Sequence, residues 1–227
     1  MEDVLDLYAE PYDPRRPQVC LDEKSVTLHA DVASPLPVRP GSPARSDYEY
    51  VRCGTANLFV CIEPLRGYRH ITMTDRRTKQ DYARIIQWLV DEAYPEVDVI
   101  RLVQDNLNTH LPGSLYDTFE PSEARRLLRK LEFHYTPVHG SWLNMAEIEI
   151  AIIVRECLRR RPGDQATLER QVAALEAERN EQQRTITWSF TAYDARTKLR
   201  RLYPIPQPQA STEDQATGLE PSGGTRS

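Results

Sequence analysis

The sequence predicts an α/β fold in which a sheet is covered by helices, and three observations predict it. Short apolar runs such as VRCGTANLFVCIEP (51–64) and EVDVIRLVQ (96–104) are rich in β-branched side chains, as strands are. Between them Tyr82, Ile85, Ile86, Leu89, Val90 and Ala93 recur at helical spacing. A hairpin, a helix and another strand, in that order, favour a parallel strand pair joined by a right-handed crossover.

The elements follow in chain order. MEDVLDLYAEPYDPRRP (1–17) predicts a short helix fragment and a Pro-rich link outside the main domain. QVCLDEKSVTLHA (18–30) predicts a strand, a polar interruption and a second strand-like piece. The Pro-rich stretch 32–46 predicts a loop. VRCGTANLFVCIEP and GYRHITMT (67–74) predict a hairpin that turns at Arg66-Gly67. Thr78 followed by Asp81 predicts a capping box, and Pro95 ends the helix it opens. PSEARRLLRKL (121–131) predicts a helix with Pro121 in its first turn, followed by a short strand, EFHYTP (132–137). LNMAEIEIAIIVRECLRRR (143–161) predicts a helix stopped by Pro162-Gly163, and DQATLERQVAALEAERN (164–180) predicts the next. Trp188, Phe190 and Tyr203 anchor a mixed segment up to Pro204. The domain is therefore expected over 18–204, with a disordered tail over 205–227.

Composition narrows the function classes. The chain has 227 residues, 40% of them hydrophobic, and a formal net charge of −5. That total excludes a uniformly basic nucleic-acid binder, but the charge is uneven. Residues 1–120 carry 13 basic and 20 acidic side chains, whereas residues 121–201 carry 15 and 11, so a local basic surface is available. No apolar stretch approaches 18 residues and no signal peptide is evident, which predicts a cytoplasmic chain with no membrane span. Cys20, Cys53, Cys61 and Cys157 form no CxxC pair and are expected as buried free thiols.

Three carboxylates draw attention. Asp105 ends an apolar strand and opens a polar cluster, where open α/β sheets place ligands; a plain turn residue is the other reading. Asp22 shares a strand face with Cys20, opposite Val19 and Leu21, and could equally be an ordinary strand-end residue. Its neighbours Glu23 and Lys24 are expected as solvated charges. On a helical wheel started at Leu143, Glu147 falls at about +40°, inside an apolar stripe, and Glu149 at about 240°, off it. Glu147 is therefore expected to be buried and to need a partner, either an Arg or Lys or a cation, while Glu149 is expected to be solvated. Carboxylates from three separate elements suit Mg²⁺ or Mn²⁺ rather than zinc. Two such ions would activate a water or 3′-hydroxyl and stabilise the leaving oxygen of a phosphodiester. The five histidines show no metal-binding spacing, although His110 and His139 could neighbour the site.

VCLDEKS (19–25), LVQDNLNTH (102–110) and HYTPVHGSWLNMAEIE (134–149) resemble, in order and character, the three catalytic blocks of the DDE transposase superfamily. They are most similar to bacterial insertion-sequence transposases related to mariner. GTANLFVCIEP (54–64) and FTAYDARTKLRRLYP (190–204) also look like that group. The resemblance implies a ribonuclease H-like fold, a five-stranded mixed sheet flanked by helices. It implies Mg²⁺-dependent cutting and joining of DNA, with transposon ends and target DNA as partners. It makes Asp22, Asp105 and Glu147 the acidic triad holding two ions, with Asn106, Asn108 and His110 lining the site. Two departures stand out. Related transposases carry an N-terminal helix-turn-helix region, and Asp22 lies too near the start for one. The chain is thus expected as the catalytic part of a longer or split protein, with a separate N-terminal DNA-recognition polypeptide as one candidate partner and a second copy, in a homodimer, as another. Also, the 41 residues between Asp105 and Glu147 exceed the usual spacing, and an extra helical piece near 114–125 is expected to absorb them.

For DNA, Arg125, Arg126, Arg129 and Lys130, then Arg155, Arg159, Arg160 and Arg161, and then Arg196, Lys198, Arg200 and Arg201 are candidates for phosphate neutralisation; solvated helix faces are the bland alternative. Trp142 could stack on an unpaired base or pack in the core. A non-catalytic, DNA- or partner-binding remnant that inhibits a full-length enzyme is the competing function.

Overall fold

The computed structural model describes residues 1–31, 50–159 and 161–203. Its centre is a five-stranded mixed sheet: β1 (Gln18–Asp31), β2 (Tyr50–Glu63), β3 (Tyr68–Thr74), β4 (Ile100–Gln104) and β5 (Leu131–Tyr135), in the order β3-β2-β1-β4-β5. β1, β2 and β3 pair antiparallel, while β4 lies parallel to both β1 and β5. The crossover expected between the hairpin and the next strand is made by α2 (Lys79–Trp88), opened by the Thr78–Asp81 capping box. It runs on through one π turn, Leu89–Ala93, before Pro95.

β1 is one strand of 14 residues, not two pieces. The polar residues Asp22, Glu23, Lys24 and Ser25 stay paired with Val60, Phe59, Leu58 and Asn57 of β2. Ladder bonds come from the backbone, so polar side chains do not interrupt them. A register shift at Leu28/His29 meets Gly54 of β2, whose φ of +120° suits glycine.

Alternation along the strands makes two cores. Val19, Leu21, Phe59, Cys61, Ile100 and Leu102 pack with α2 and α4 (Pro121–Leu128) on one face. Val26, Leu28, Ala56, Leu58 and Val60 pack on the other with α5 (Ala146–Cys157) and α6 (Gln165–Glu181). β3 is an edge strand, and α6 covers it with polar side chains. Asn180 accepts from the Arg69 N–H at 2.9 Å and donates to its carbonyl at 2.8 Å, and Glu176 accepts from the Ile71 N–H at 2.9 Å.

The short helix expected within residues 1–17 is α1 (Glu2–Ala9), whose Val4, Leu5, Leu7 and Tyr8 are buried. The Gln18 side-chain amide donates to the Leu7 carbonyl at 2.6 Å. The helical piece expected between Asp105 and Glu147 takes the form of α3 (Gly113–Tyr116) followed by α4. The described residues up to Ala192 belong to one compact unit and those from Tyr193 to Tyr203 to a second. In the second, the rest of α7 (Ala192–Lys198) leads to a 3₁₀ turn at Arg200–Leu202, and Lys198 pairs with Asp194 at 2.9 Å. The Pro-rich loop over 32–46 and the tail over 205–227 lie outside the described residues. Cys20, Cys61 and Cys157 are buried free thiols as expected, but Cys53 sits on the exposed outer half of β2. Among the described residues no helix is long and apolar enough to cross a membrane.

Candidate active site

The sheet register brings the first two carboxylates together. The last parallel pair between β1 and β4 is Cys20 with Val103. Asp22 lies two residues further along β1, and Asp105 directly follows Gln104, the last residue of β4. The Asp105 charge acts on the Asp22 carboxyl, so the two are neighbours at the carboxyl end of the parallel pair.

Glu147 arrives from the opposite layer by a specific tether. The segment before α5 forms a 3₁₀ turn, Ser141–Leu143. Asn144 then donates its side-chain amide to the Leu21 carbonyl at 2.8 Å and accepts from the Ala146 N–H at 3.1 Å. Tyr8 of α1 donates to the Leu143 carbonyl at 2.8 Å and lies 3.4 Å from the Cys20 thiol. α1, β1 and the start of α5 are thus stitched together beside Asp22, with Glu147 in the first turn of the helix.

The charges register this convergence. Burial, together with the carboxylates of Glu147, Glu23 and Asp105, pushes the Asp22 carboxyl up to about 7, against the pull of its bond from the Glu23 N–H. No ion-pair partner for Asp22 or Glu147 is found among the described residues. Four carboxylates (Asp22, Glu23, Asp105 and Glu147) thus face one basic group, His110, which pairs with Glu23 and Asp105, and the excess negative charge is what a hard divalent cation satisfies. The donor set therefore fits Mg²⁺ or Mn²⁺, although among the described residues no three His, Cys, Asp or Glu side chains are gathered closely enough to enclose an ion as they stand.

Two expectations about the flanking glutamates are corrected. Glu149 is the buried one, 0% exposed, with Arg179 bonded to both its oxygens at 2.7 and 3.0 Å. Arg69, also fully buried, adds an ion-pair contact at 3.4 Å that falls short of a hydrogen bond. Glu147 is only half-buried. The wheel had its origin at Leu143, three residues before the helix begins. The buried positions Ala146, Glu149, Ile150, Ile153 and Cys157 centre roughly 60° away from that origin. The second correction concerns Glu23. Its side chain is 4% exposed and lies 2.6 Å from His110 Nε2, while His110 Nδ1 lies 2.5 Å from Asp105 Oδ1. Burial lowers the His110 pKa, but the two carboxylates outweigh it and raise it to about 9. His110 thus stands against Asp105. Asn106 and Asn108 are both exposed on the same turn, and His139, in the loop before α5, has a left-handed φ of 62°.

A family model described as DDE superfamily endonuclease matches residues 17–169. The chain belongs to this family. Among solved structures, the DDE endonuclease chain is similar to the Mos1 mariner paired-end complex with Mn (TM-score 0.54, 17% identity, over 80% of this chain and 54% of that one). It is also similar to the Mos1 paired-end complex with left transposon end (0.53, 17%, 79% and 54%) and to the Mos1 strand transfer complex (0.52, 16%, 77% and 50%). The shared architecture is a ribonuclease H-like fold. The chain spans about half the length of these structures. No curated protein sequence matches it.

The basic residues of the DDE endonuclease chain divide into engaged and open groups. Arg126 is committed to Asp91 and Glu123, and Lys130 donates to the Val97 carbonyl at 2.5 Å, so neither is the free phosphate ligand expected. Arg125, Arg129 and Arg159 are exposed. Arg155 pairs with Glu156, Arg161 lies over the Tyr50 ring, and Arg160 falls outside the described residues. An open cleft of about 800 Å³ between α5 and α6 is lined by Arg155, Arg159, Arg179 and Arg184 and includes none of the three carboxylates. Trp142 is 43% exposed, with one side against Trp188 and Phe190.

Proposed function

We propose that this chain is the catalytic core of a transposase that cuts DNA at transposon ends and joins it to target DNA. What supports the proposal most is that Glu147 and Asp105 both act on the Asp22 carboxyl at the end of the β1–β4 pair, while Asn144 ties the lead-in of α5 to the Leu21 carbonyl beside it. Asp22 and Asp105 would hold two Mg²⁺ or Mn²⁺ ions jointly, and Glu147 would bind one of them. Bound ions supply a deprotonated water or 3′-hydroxyl and stabilisation of the leaving oxygen. Asp22, whose carboxyl is up at about 7, would lose its proton as the cation arrives. Arg125, Arg129 and Arg159 are open for phosphates, and the free face of Trp142 is open for a base.

Supercoiled plasmid incubated with the purified chain and Mg²⁺ or Mn²⁺ tests the reading. Nicking that disappears in Asp105→Asn supports it, and nicking that persists overturns the triad. Joined products distinguish a transposase from a nuclease of the same fold, which only hydrolyses. DNA retardation on a gel without metal-dependent nicking would favour the non-catalytic, inhibitory reading.

A further inference from the structure

β1 places two neighbouring carboxylates on opposite faces of the sheet. Asp22 faces the candidate metal site, and Glu23 points to the far face, where it meets His110. This matters because Asp105 follows the last residue of β4, outside the ladder, and its side chain is 31% exposed. Without a restraint, a carboxylate there would sample several rotamers.

His110 is that restraint, and it is itself restrained on every side. Its ring is 0% exposed, and both ring nitrogens are taken, by Asp105 Oδ1 at 2.5 Å and Glu23 Oε1 at 2.6 Å. Its flat face lies against Tyr82, with ring centroids 4.8 Å apart. Its backbone carbonyl accepts from the Gln104 side chain at 2.9 Å, and Gln104 in turn accepts from the Tyr82 hydroxyl at 3.0 Å. An imidazole bonded at one nitrogen alone can pivot, whereas one bonded at both cannot.

We infer that Glu23 and His110 are positioning residues that fix the orientation of Asp105, so that one of its oxygens is held from behind and the other is presented to the metal. The inference rests on the reading of Asp105 as a metal ligand. Partners that orient a ligand in this way typically contribute 10–100-fold to metal affinity without touching the ion. Glu23 therefore influences the site from the opposite face of the sheet.

Mn²⁺ binding to the full chain, followed by electron paramagnetic resonance, and the ring N–H signals of His110 by ¹⁵N NMR without added metal test it together. Glu23→Gln is expected to keep the far-ultraviolet circular dichroism, to perturb the His110 Nε2–H signal and to raise the Mn²⁺ Kd about tenfold or more. Asp105→Asn is expected to abolish binding. Native Mn²⁺ affinity in Glu23→Gln alongside its loss in Asp105→Asn overturns the positioning role and leaves the site reading standing. Native affinity in both variants overturns the site reading and the inference with it. Glu23→Asp, which keeps the charge but withdraws it by one methylene, should weaken Mn²⁺ in the same way. It serves as the second variant if Glu23→Gln does not fold. A native chain whose His110 ring N–H protons exchange as freely as those of an exposed histidine also overturns the inference.

Discussion

The side-chain amide of Asn144 donates to the backbone carbonyl of Leu21 at 2.8 Å, and both groups are buried. That bond joins the lead-in of α5 to β1 one residue before Asp22, and so sets the distance between Asp22 and Glu147. Asn144→Ala would leave the Leu21 carbonyl and the Ala146 N–H short of partners. A loss of about 1–3 kcal/mol is expected, seen as a fall of several degrees in Tm. Mn²⁺ affinity should fall with it, because Glu147 loses its tether. A variant with native Tm and native Mn²⁺ affinity would remove Asn144 from the account.

Glu147 and Glu149 should separate function from stability. Glu149→Gln leaves Arg69 and Arg179 without their carboxylate in a buried setting, and a cost of about 3–5 kcal/mol is expected. Glu147→Gln removes a charge that repels Asp22, so its Tm without metal should equal or exceed the native value while metal-dependent nicking is lost. Thermal melts of the two variants check both halves.

Asp22 gives a pH signature. Its folded value of about 7 lies above the ordinary 3.8, so its contribution to stability is full below about 4 and is lost as pH rises through 7. The stability advantage of Asp22→Asn over the native chain should therefore grow from pH 4 to pH 7 and level off above that. His110, raised from 6.5 to about 9, contributes stability that is present below 6.5 and lost as pH rises through 9. Urea midpoints across pH 4–10 for the native chain, Asp22→Asn and His110→Gln would resolve the two windows. A flat difference for Asp22→Asn would mean that Asp22 is not held protonated at neutral pH.

Added Mn²⁺ should stabilise the chain. At about 10 mM Mn²⁺ and a Kd near 1 mM, linkage gives about 1.4 kcal/mol, a rise of a few degrees in Tm. The rise should be larger at pH 8 than at pH 6, because the ion no longer competes with the Asp22 proton. Asp105→Asn should show no rise at either pH.

The sequence by itself determined the elements. Apolar alternation marked the strands and a Thr78–Asp81 box marked the start of α2, because those signals act over a few residues of backbone, whereas α5 stops at Cys157, short of the Pro162-Gly163 expected to end it. It also named the family and the three carboxylates, through blocks of residues set in order. Partnership was decided by the tertiary structure alone. Glu149 looked solvated until Arg69, from an edge strand 80 positions earlier, and Arg179, from α6, closed around it. Glu23 looked solvated until the chain turned after β4 and set His110 beneath it. Lys130 and Arg126 looked open until the carbonyl of Val97 and the carboxylate of Asp91 took them. The free energy of a charge depends on what lies within a few ångströms, and folding brings those neighbours from distant parts of the chain.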